Sequence, residues 1–253
     1  MKIAVCVKAV PDAAAGRRLD PATKRLDRSV ELAISDFDTY AVEEALKLKE
    51  RAGDGEVVVV SMGPERAMDA LRKALAMGAD RAVLISDPSL EGSDLLGTAG
   101  ALAGALEQEG ADLVLFGQQS ADGGGAVLWA AVAERLRQPV ISQVSELTAE
   151  GGSVTGKRQT EFGYDSIRAP LPAVVAVSDA INTPRYPSLK GIMGAKKKPQ
   201  ATLSAGDVGG AGGPGTIVLE LSPPPPRGEA RKIEDDGTAA EKIVEFLAEK
   251  RLV

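Results

Sequence analysis

The sequence predicts an α/β protein built on a doubly wound, mostly parallel sheet, with an antiparallel hairpin extension and a C-terminal arm. Three observations carry this expectation. Short runs rich in Val and Ile, at residues 3–7, 57–61, 82–85 and 113–116, are apolar on both faces, as strands buried inside a parallel sheet are. Helical segments with recognisable ends alternate with these runs, and strand-helix alternation implies right-handed crossovers. Past Ser142 the pattern changes to the alternation of antiparallel strands.

Each element has its own signal. The opening MKIAVCVKAV reads as a strand interrupted by Lys8, with an apolar run far shorter than a signal peptide needs. In SDFDTYAVEEALKL, Ser35 or Asp38 can cap a helix running from Tyr40 to about Ala52, ahead of Gly53, and capping with a solvated acidic face explains Asp36, Glu43 and Glu44. In GPERAMDALRKALAMGAD, Pro64 suits a first helical position, Met68, Leu71 and Leu75 recur on one face, and Gly78 suits a C-terminal cap. Ser93 can cap a helix from Asp94 through Leu106, on which Gly97, Gly100 and Gly104 permit close packing. Residues 153–178 read as a hairpin followed by a strand at 173–177. After Pro199, GDVGGAGGPG reads as a flexible connector, residues 216–221 as strand-like, and Pro223 to Pro226 as stiff and extended. Thr238 and Glu241 have capping-box spacing at the head of a helix striped with Ile243, Val244, Phe246 and Leu247. That helix either folds back on its own domain or docks on a partner.

The 253 residues suffice for one large domain with a tail, taken as an α/β domain over residues 1–200 and a linker and arm over residues 201–253. A net charge of −6 gives no general reason to bind nucleic acid. The single cysteine, Cys6, excludes a disulfide framework and a cysteine metal cluster within the chain. The absence of histidine removes Ser-His-Asp and Cys-His nucleophile systems and every His-ligated metal site. That leaves carboxylates, Lys or bound cofactors to do any chemistry, and no catalytic residue or metal ligand is assigned. No run approaches the roughly 20 apolar residues of a membrane span, so no transmembrane segment is expected, and the cytoplasm is the expected location.

Two stretches carry chemistry. In LVLFGQQSADGGGAVLWAAVAERL a buried strand ends at Gly117, a polar turn with Asp122 and three glycines follows, and a helix is expected from near Gly125. Glycines at the carboxyl end of a parallel strand let backbone N–H groups approach a ligand, and the next helix N-terminus favours an anion. A phosphate cradle and a plain tight turn both fit; no Lys follows the glycines, so this is not a P-loop. Gly210, Gly212 and Gly215 satisfy G-x-G-x-x-G, but no buried strand precedes them and Pro214 sits inside, so they read as linker.

The second stretch is AINTPRYPSLKGIMGAKKKPQ. Pro184 and Pro187 stop regular structure, which puts Tyr186 and Leu189 on a loop, where large apolar side chains are costly to leave wet. Either Tyr186, Leu189, Ile192 and Met193 dock on a partner, with Lys196, Lys197 and Lys198 as a rim, or they tuck into the protein's own surface.

At VCVKAVPD, YAVEEALKLKE, SMGPERAMDALRKALAMGADRAV, the Gly117 turn and LPAVVAVSDAINTPRYPSLKGIMGAKKKP, the sequence resembles the β subunit of electron transfer flavoproteins, over nearly the whole chain. The resemblance implies the adenine-nucleotide-binding type of α/β fold and a heterodimer with an α subunit that holds most of an FAD. It implies structural AMP in the β subunit, with contacts falling on Cys6, on Ser35, Asp36, Phe37 and Asp38, and on Met62. Further contacts fall on the turn Gly117, Gln118, Gln119, Ser120, Ala121, Asp122, Gly123, Gly124, Gly125, Ala126, Val127 and Leu128. It implies electron flow from acyl-CoA and other flavin dehydrogenases, as in fatty acid oxidation, to a membrane quinone oxidoreductase. The recognition loop falls on residues 182–198, its anchoring leucine on Leu189, and the C-terminal arm embraces the α subunit. Electron-bifurcating relatives carry a second FAD in place of AMP and share the Val10, Pro11, Asp12 pattern, so that alternative stays open. Gly123, Gly124, Gly125, Ala126 and Val127 depart from the acidic, Asn/Gln/Thr-containing run frequent in the family, which leaves backbone donors alone to meet phosphate.

Overall fold

The computed structural model describes residues 1–210, 214–226 and 232–253. They form two compact units, Met1–Val218 and Leu219–Val253.

The first unit is organised by one sheet. In chain order its elements are β1 (Lys2–Cys6), β2 (Ala9–Pro11), β3 (Leu19–Asp20), β4 (Arg25–Leu26), β5 (Leu32–Ile34), α1 (Asp36–Ala52), β6 (Glu56–Met62), α2 (Met68–Met77), β7 (Arg81–Ile85), α3 (Leu95–Glu109), β8 (Leu113–Gly117) and α4 (Leu128–Leu136). There follow β9 (Val140–Glu150), β10 (Ser153–Thr160), β11 (Gly163–Pro170), β12 (Ala173–Val177), α5 (Leu189–Ala195) and β13 (Gln200–Leu203). Nine strands make the central sheet in the order β11-β10-β9-β12-β8-β1-β6-β7-β13, while β2 pairs with β5 and β3 with β4. Every neighbouring pair from β9 across to β13 is parallel; β9, β10 and β11 form an antiparallel meander at one edge.

The apolar runs are continuous because both faces of the sheet are covered. Along β1, Ile3 and Val5 join a core with Val42 of α1 and Leu71 and Leu75 of α2, whereas Ala4 and Cys6 join a core with Leu102 of α3 and Val132 of α4. The chain winds from β1 outward to β6 and β7, then returns to place β8 on the other side of β1. The strand order therefore reverses between β1 and β8, and a crevice opens beyond their carboxyl ends, the position where doubly wound sheets bind ligands.

Several element ends differ from expectation. Helix α1 begins at Asp36, with Ser35 in the cap position but making no capping bond, and Gly53 closes it in the left-handed conformation. Pro64 precedes a short 3-10 turn, Glu65–Ala67, that feeds α2. Asp94, not Ser93, caps α3 by accepting the Gly97 N–H at 3.0 Å, while the Ser93 hydroxyl donates to the Leu90 carbonyl. A Cβ on Gly104 would lie 2.3 Å from the Val208 carbonyl oxygen, so that glycine does serve close packing. Strand β13 keeps the chain in the sheet through Leu203, beyond the expected start of the connector. Residues 216–221 hold no regular structure, and Gly212 of the glycine motif lies outside the described residues.

The second unit carries α6 (Ala239–Glu249), none of whose residues is buried. Its capping box does not form: the Thr238 hydroxyl donates to Asp236, which also pairs with Lys242 at 2.9 Å. Among the described residues no helix is long and apolar enough to cross a membrane.

Candidate functional site

A cleft of about 1530 Å³ opens at the switch between β1 and β8. It is lined by Cys6, Val7 and Lys8 at the end of β1, Met62 at the end of β6 and Gly117 to Ser120 at the end of β8. Asp38 enters from the first turn of α1, and Gly123, Gly125, Ala126, Val127 and Leu128 form one wall.

The turn after β8 is held by partners far away in sequence. Ser35 is fully buried, and its hydroxyl accepts the Ala121 N–H at 3.0 Å instead of capping α1. The Asp122 carboxylate, 2% exposed, pairs with Lys8 Nζ at 2.8 Å and with the Arg28 guanidinium. Burial alone would raise its pKa; the hydrogen bonds and charges of Lys8 and Arg28 outweigh it and hold the carboxyl well below the usual carboxylate range. The Ser120 carbonyl accepts the Gly124 N–H at 3.0 Å, and the Trp129 indole N–H donates to the Gln118 carbonyl at 3.1 Å.

Beyond Gly124 the backbone is open. Helix α4 begins at Leu128 rather than near Gly125, and Ala126 lies in the left-handed region at φ 47°. Among the described residues, the N–H groups of Gly125, Ala126, Val127, Leu128 and Trp129 have no hydrogen-bond acceptor. A Cβ on Gly125 would meet nothing within 4 Å. A run of free donors ahead of a helix N-terminus, facing a cleft, suits an anion.

Asp38 is a second buried carboxylate at the cleft. Its Oδ2 accepts the Lys8 N–H at 2.7 Å. Burial raises it to about 7, opposed by hydrogen bonds from the Lys8 and Gly117 backbones and by the Lys8 charge, and reinforced by Asp122. Burial, with a smaller contribution from Asp38, pushes the Cys6 thiol far up, so Cys6 forms an uncharged wall.

The sequence-assigned residues thus gather around one cleft, except that Asp36 is exposed, Gly124 does not line it, and Ser35, Phe37, Ala121 and Asp122 support it from behind. Sequence reasoning missed the opposite wall, which comes from the excursion between β2 and β5, including Arg18, Leu19, Arg25, Leu26 and Arg28. It also missed Trp129. No periodicity marks that excursion; Arg28 on it and Lys8 after β1 are single charges whose shared partner, Asp122, is set only by the fold.

A second surface lies on α5 and the segment just before it. Tyr186 is 95% exposed, Leu189 81%, Met193 77% and Ile192 54%. Leu189 opens a helix rather than lying on a loop, because the Ser188 hydroxyl accepts the Gly191 N–H at 3.0 Å and caps it. Lys196 and Lys197 are exposed, but Lys198 is not a rim residue: its ammonium donates to the Leu75 and Ala79 carbonyls at the end of α2.

Glu43 and Glu44 are buried rather than on a solvated face. Glu43 accepts from Arg185 at 2.7 Å and 3.1 Å, and Glu44 from Arg51 at 2.5 Å and Asn182 at 3.1 Å.

Residues 23–208 match the family described as electron transfer flavoprotein domain. The chain is 40% identical over 263 residues to the electron transfer flavoprotein subunit beta of Mycobacterium tuberculosis (strain ATCC 25618 / H37Rv), covering 99% of each. It is 36% identical to that of Megasphaera elsdenii, covering 100% of both chains. It is 35% identical to the caffeyl-CoA reductase-Etf complex subunit CarD of Acetobacterium woodii, covering 99% of this chain and 97% of that one.

Proposed function

The chain belongs to the electron transfer flavoprotein family as a β subunit, and we propose that it joins an α subunit in a carrier taking electrons from acyl-CoA and other flavin dehydrogenases to a membrane quinone oxidoreductase. An FAD held mostly by the α subunit supplies the redox chemistry. This chain binds, orients and docks. The observation that carries the reading is the row of five N–H groups from Gly125 to Trp129, unpaired among the described residues, at the strand-order reversal. These donors meet the phosphate of a structural AMP. Asp122, locked by Lys8 and Arg28, keeps the turn in the shape that aims them, and its carboxylate is already neutralised and does not repel the nucleotide.

The cleft also supports a second reading. At about 1530 Å³ it exceeds the roughly 300–1,000 Å³ of a typical small-ligand pocket, so it has room for a second FAD in place of AMP, as a bifurcating β subunit requires.

Ligands released by denaturing the purified heterodimer separate these readings. One FAD with one AMP is the expected outcome. Two FAD and no AMP moves the protein to the bifurcating class, and a heterodimer free of any adenine compound removes the cradle.

A further inference from the structure

Helix α5 is seven residues long, far below the roughly 12–15 residues at which an isolated helix begins to persist in water. Its Leu189, Ile192 and Met193 side chains, and Tyr186 just ahead of it, are exposed among the described residues. Something else must hold it in place, and three anchors do. Beneath it, a Cβ on Gly191 would lie 2.3 Å from the Ala76 carbonyl oxygen, so α5 sits directly on α2. Behind it, Lys198 Nζ donates to two carbonyls at the end of α2.

The third anchor is ahead of the helix. Arg185 spreads its guanidinium across two carboxylates of α1 that stand seven residues apart. Nε and Nη2 donate to Glu43 at 2.7 Å and 3.1 Å, Nη1 and Nη2 donate to Glu50 at 2.6 Å and 3.0 Å, and the Arg185 backbone N–H donates to Glu43 at 3.2 Å. Glu50 is held below its usual range, first by the Arg185 hydrogen bond, and the guanidinium is correspondingly raised. Asn182 adds bonds to the Tyr40 carbonyl and to Glu44, both at 3.1 Å. Every one of these contacts ties the strap before α5 to α1.

We infer that Arg185 is a positioning residue for donor docking: its fork over Glu43 and Glu50 fixes the strap so that Leu189 is presented in its docking orientation before the partner arrives. This rests on the docking role proposed for Leu189. Arg185 itself is engaged with α1 and is not part of the docking contact. Its effect is to remove ordering cost from the encounter, since a side chain and backbone already fixed lose no further freedom on binding. An apolar knob on a loose strap would lose more freedom on docking and bind the same surface more weakly. Lys is not equivalent, because one ammonium cannot hold two carboxylates in a plane as a guanidinium does.

The test uses the reconstituted heterodimer and an acyl-CoA dehydrogenase that reduces it. Arg185→Met is expected to raise the KM for the heterodimer about tenfold with a smaller change in kcat. The flavin spectrum and the rate of reduction by a small dye, which needs no docking, stay unchanged. Arg185→Lys recovers part of the loss. In the double variant with Leu189→Ala, the Arg185→Met loss disappears into the Leu189→Ala loss, because there is no longer a knob to aim. If Leu189→Ala impairs the reaction while Arg185→Met does not, or if the two losses multiply, positioning by Arg185 is overturned and the docking role of Leu189 stands. If Leu189→Ala itself has no effect, the docking role falls and the inference falls with it.

Discussion

A Cβ placed on Gly117 would lie 2.5 Å from Oδ1 of Asp38 and equally close to the Phe37 carbonyl carbon. The end of β8 therefore touches the first turn of α1 with no room for a methyl group. Gly117→Ala must push the turn away from α1, and an overpacked contact of this kind costs about 1–3 kcal/mol. Weaker retention of adenine nucleotide by the heterodimer is expected along with a lower unfolding midpoint. Full nucleotide content after extensive dialysis argues against Gly117 shaping the cradle.

Asp122 is expected to matter through its partners. Asp122→Asn keeps the shape but leaves Lys8 and Arg28 facing a neutral amide, at a cost of about 2 kcal/mol given that both cations remain partly in water. Urea unfolding measures this, and faster hydrogen exchange at Ala121 and Gly123 locates it in the turn. A change under about 0.5 kcal/mol, the range of ordinary surface substitutions, removes the structural role of the pair.

Asp38 gives a pH dependence opposite to that of most aspartates. Held up at about 7 by burial, it keeps its proton in the fold while the unfolded chain has released it by about pH 4. Its contribution to stability is complete below that lower value and is lost as pH rises through about 7. Asp122 runs the other way: its folded pKa is depressed, so its contribution holds at neutral pH and is lost as pH falls through the carboxylate range and below. Comparing wild type with Asp38→Asn at pH 5 and pH 8 isolates the first effect. The wild type should lose more stability than the variant between those values, and parallel behaviour rejects the buried proton.

Gly191→Ala places a methyl group 2.3 Å from the Ala76 carbonyl oxygen and must lift α5 from α2. Slower reduction by a flavin dehydrogenase is expected, with nucleotide and flavin content unaltered because the cleft lies elsewhere. Unaltered donor kinetics would mean that the seat of α5 is irrelevant to docking.

Much of this architecture could be read from local pattern. Residues 57–61 and 113–116 announce buried parallel strands because both their faces meet helices, and the glycine turn announces an opening because it follows such a strand. What stayed hidden depends on contacts distant in sequence. Glu43 and Glu44 look like any acidic pair on a surface helix; their inward orientation rests on Arg185, 142 positions from Glu43, and on Asn182 and Arg51 at Glu44. Ser35 looks like a cap and instead accepts from Ala121, 86 positions away. The prolines at 184 and 187 put Leu189 on a loop by local pattern, whereas the Ser188 hydroxyl starts a helix immediately after them. Lys198 resembles its two neighbours in charge but ends against the carbonyls of α2.

Helix α1 touches both the cleft and the strap that leads into α5. Its first turn lends Asp38 to the crevice, and its later turns grip Arg185 and Asn182. Like a spar shared by two sails, it cannot be reset for one without disturbing the other. Divergence or engineering toward new electron donors is thereby channelled outward, into the tips at 186, 189, 192 and 193, where side chains can be exchanged while the spar stays still.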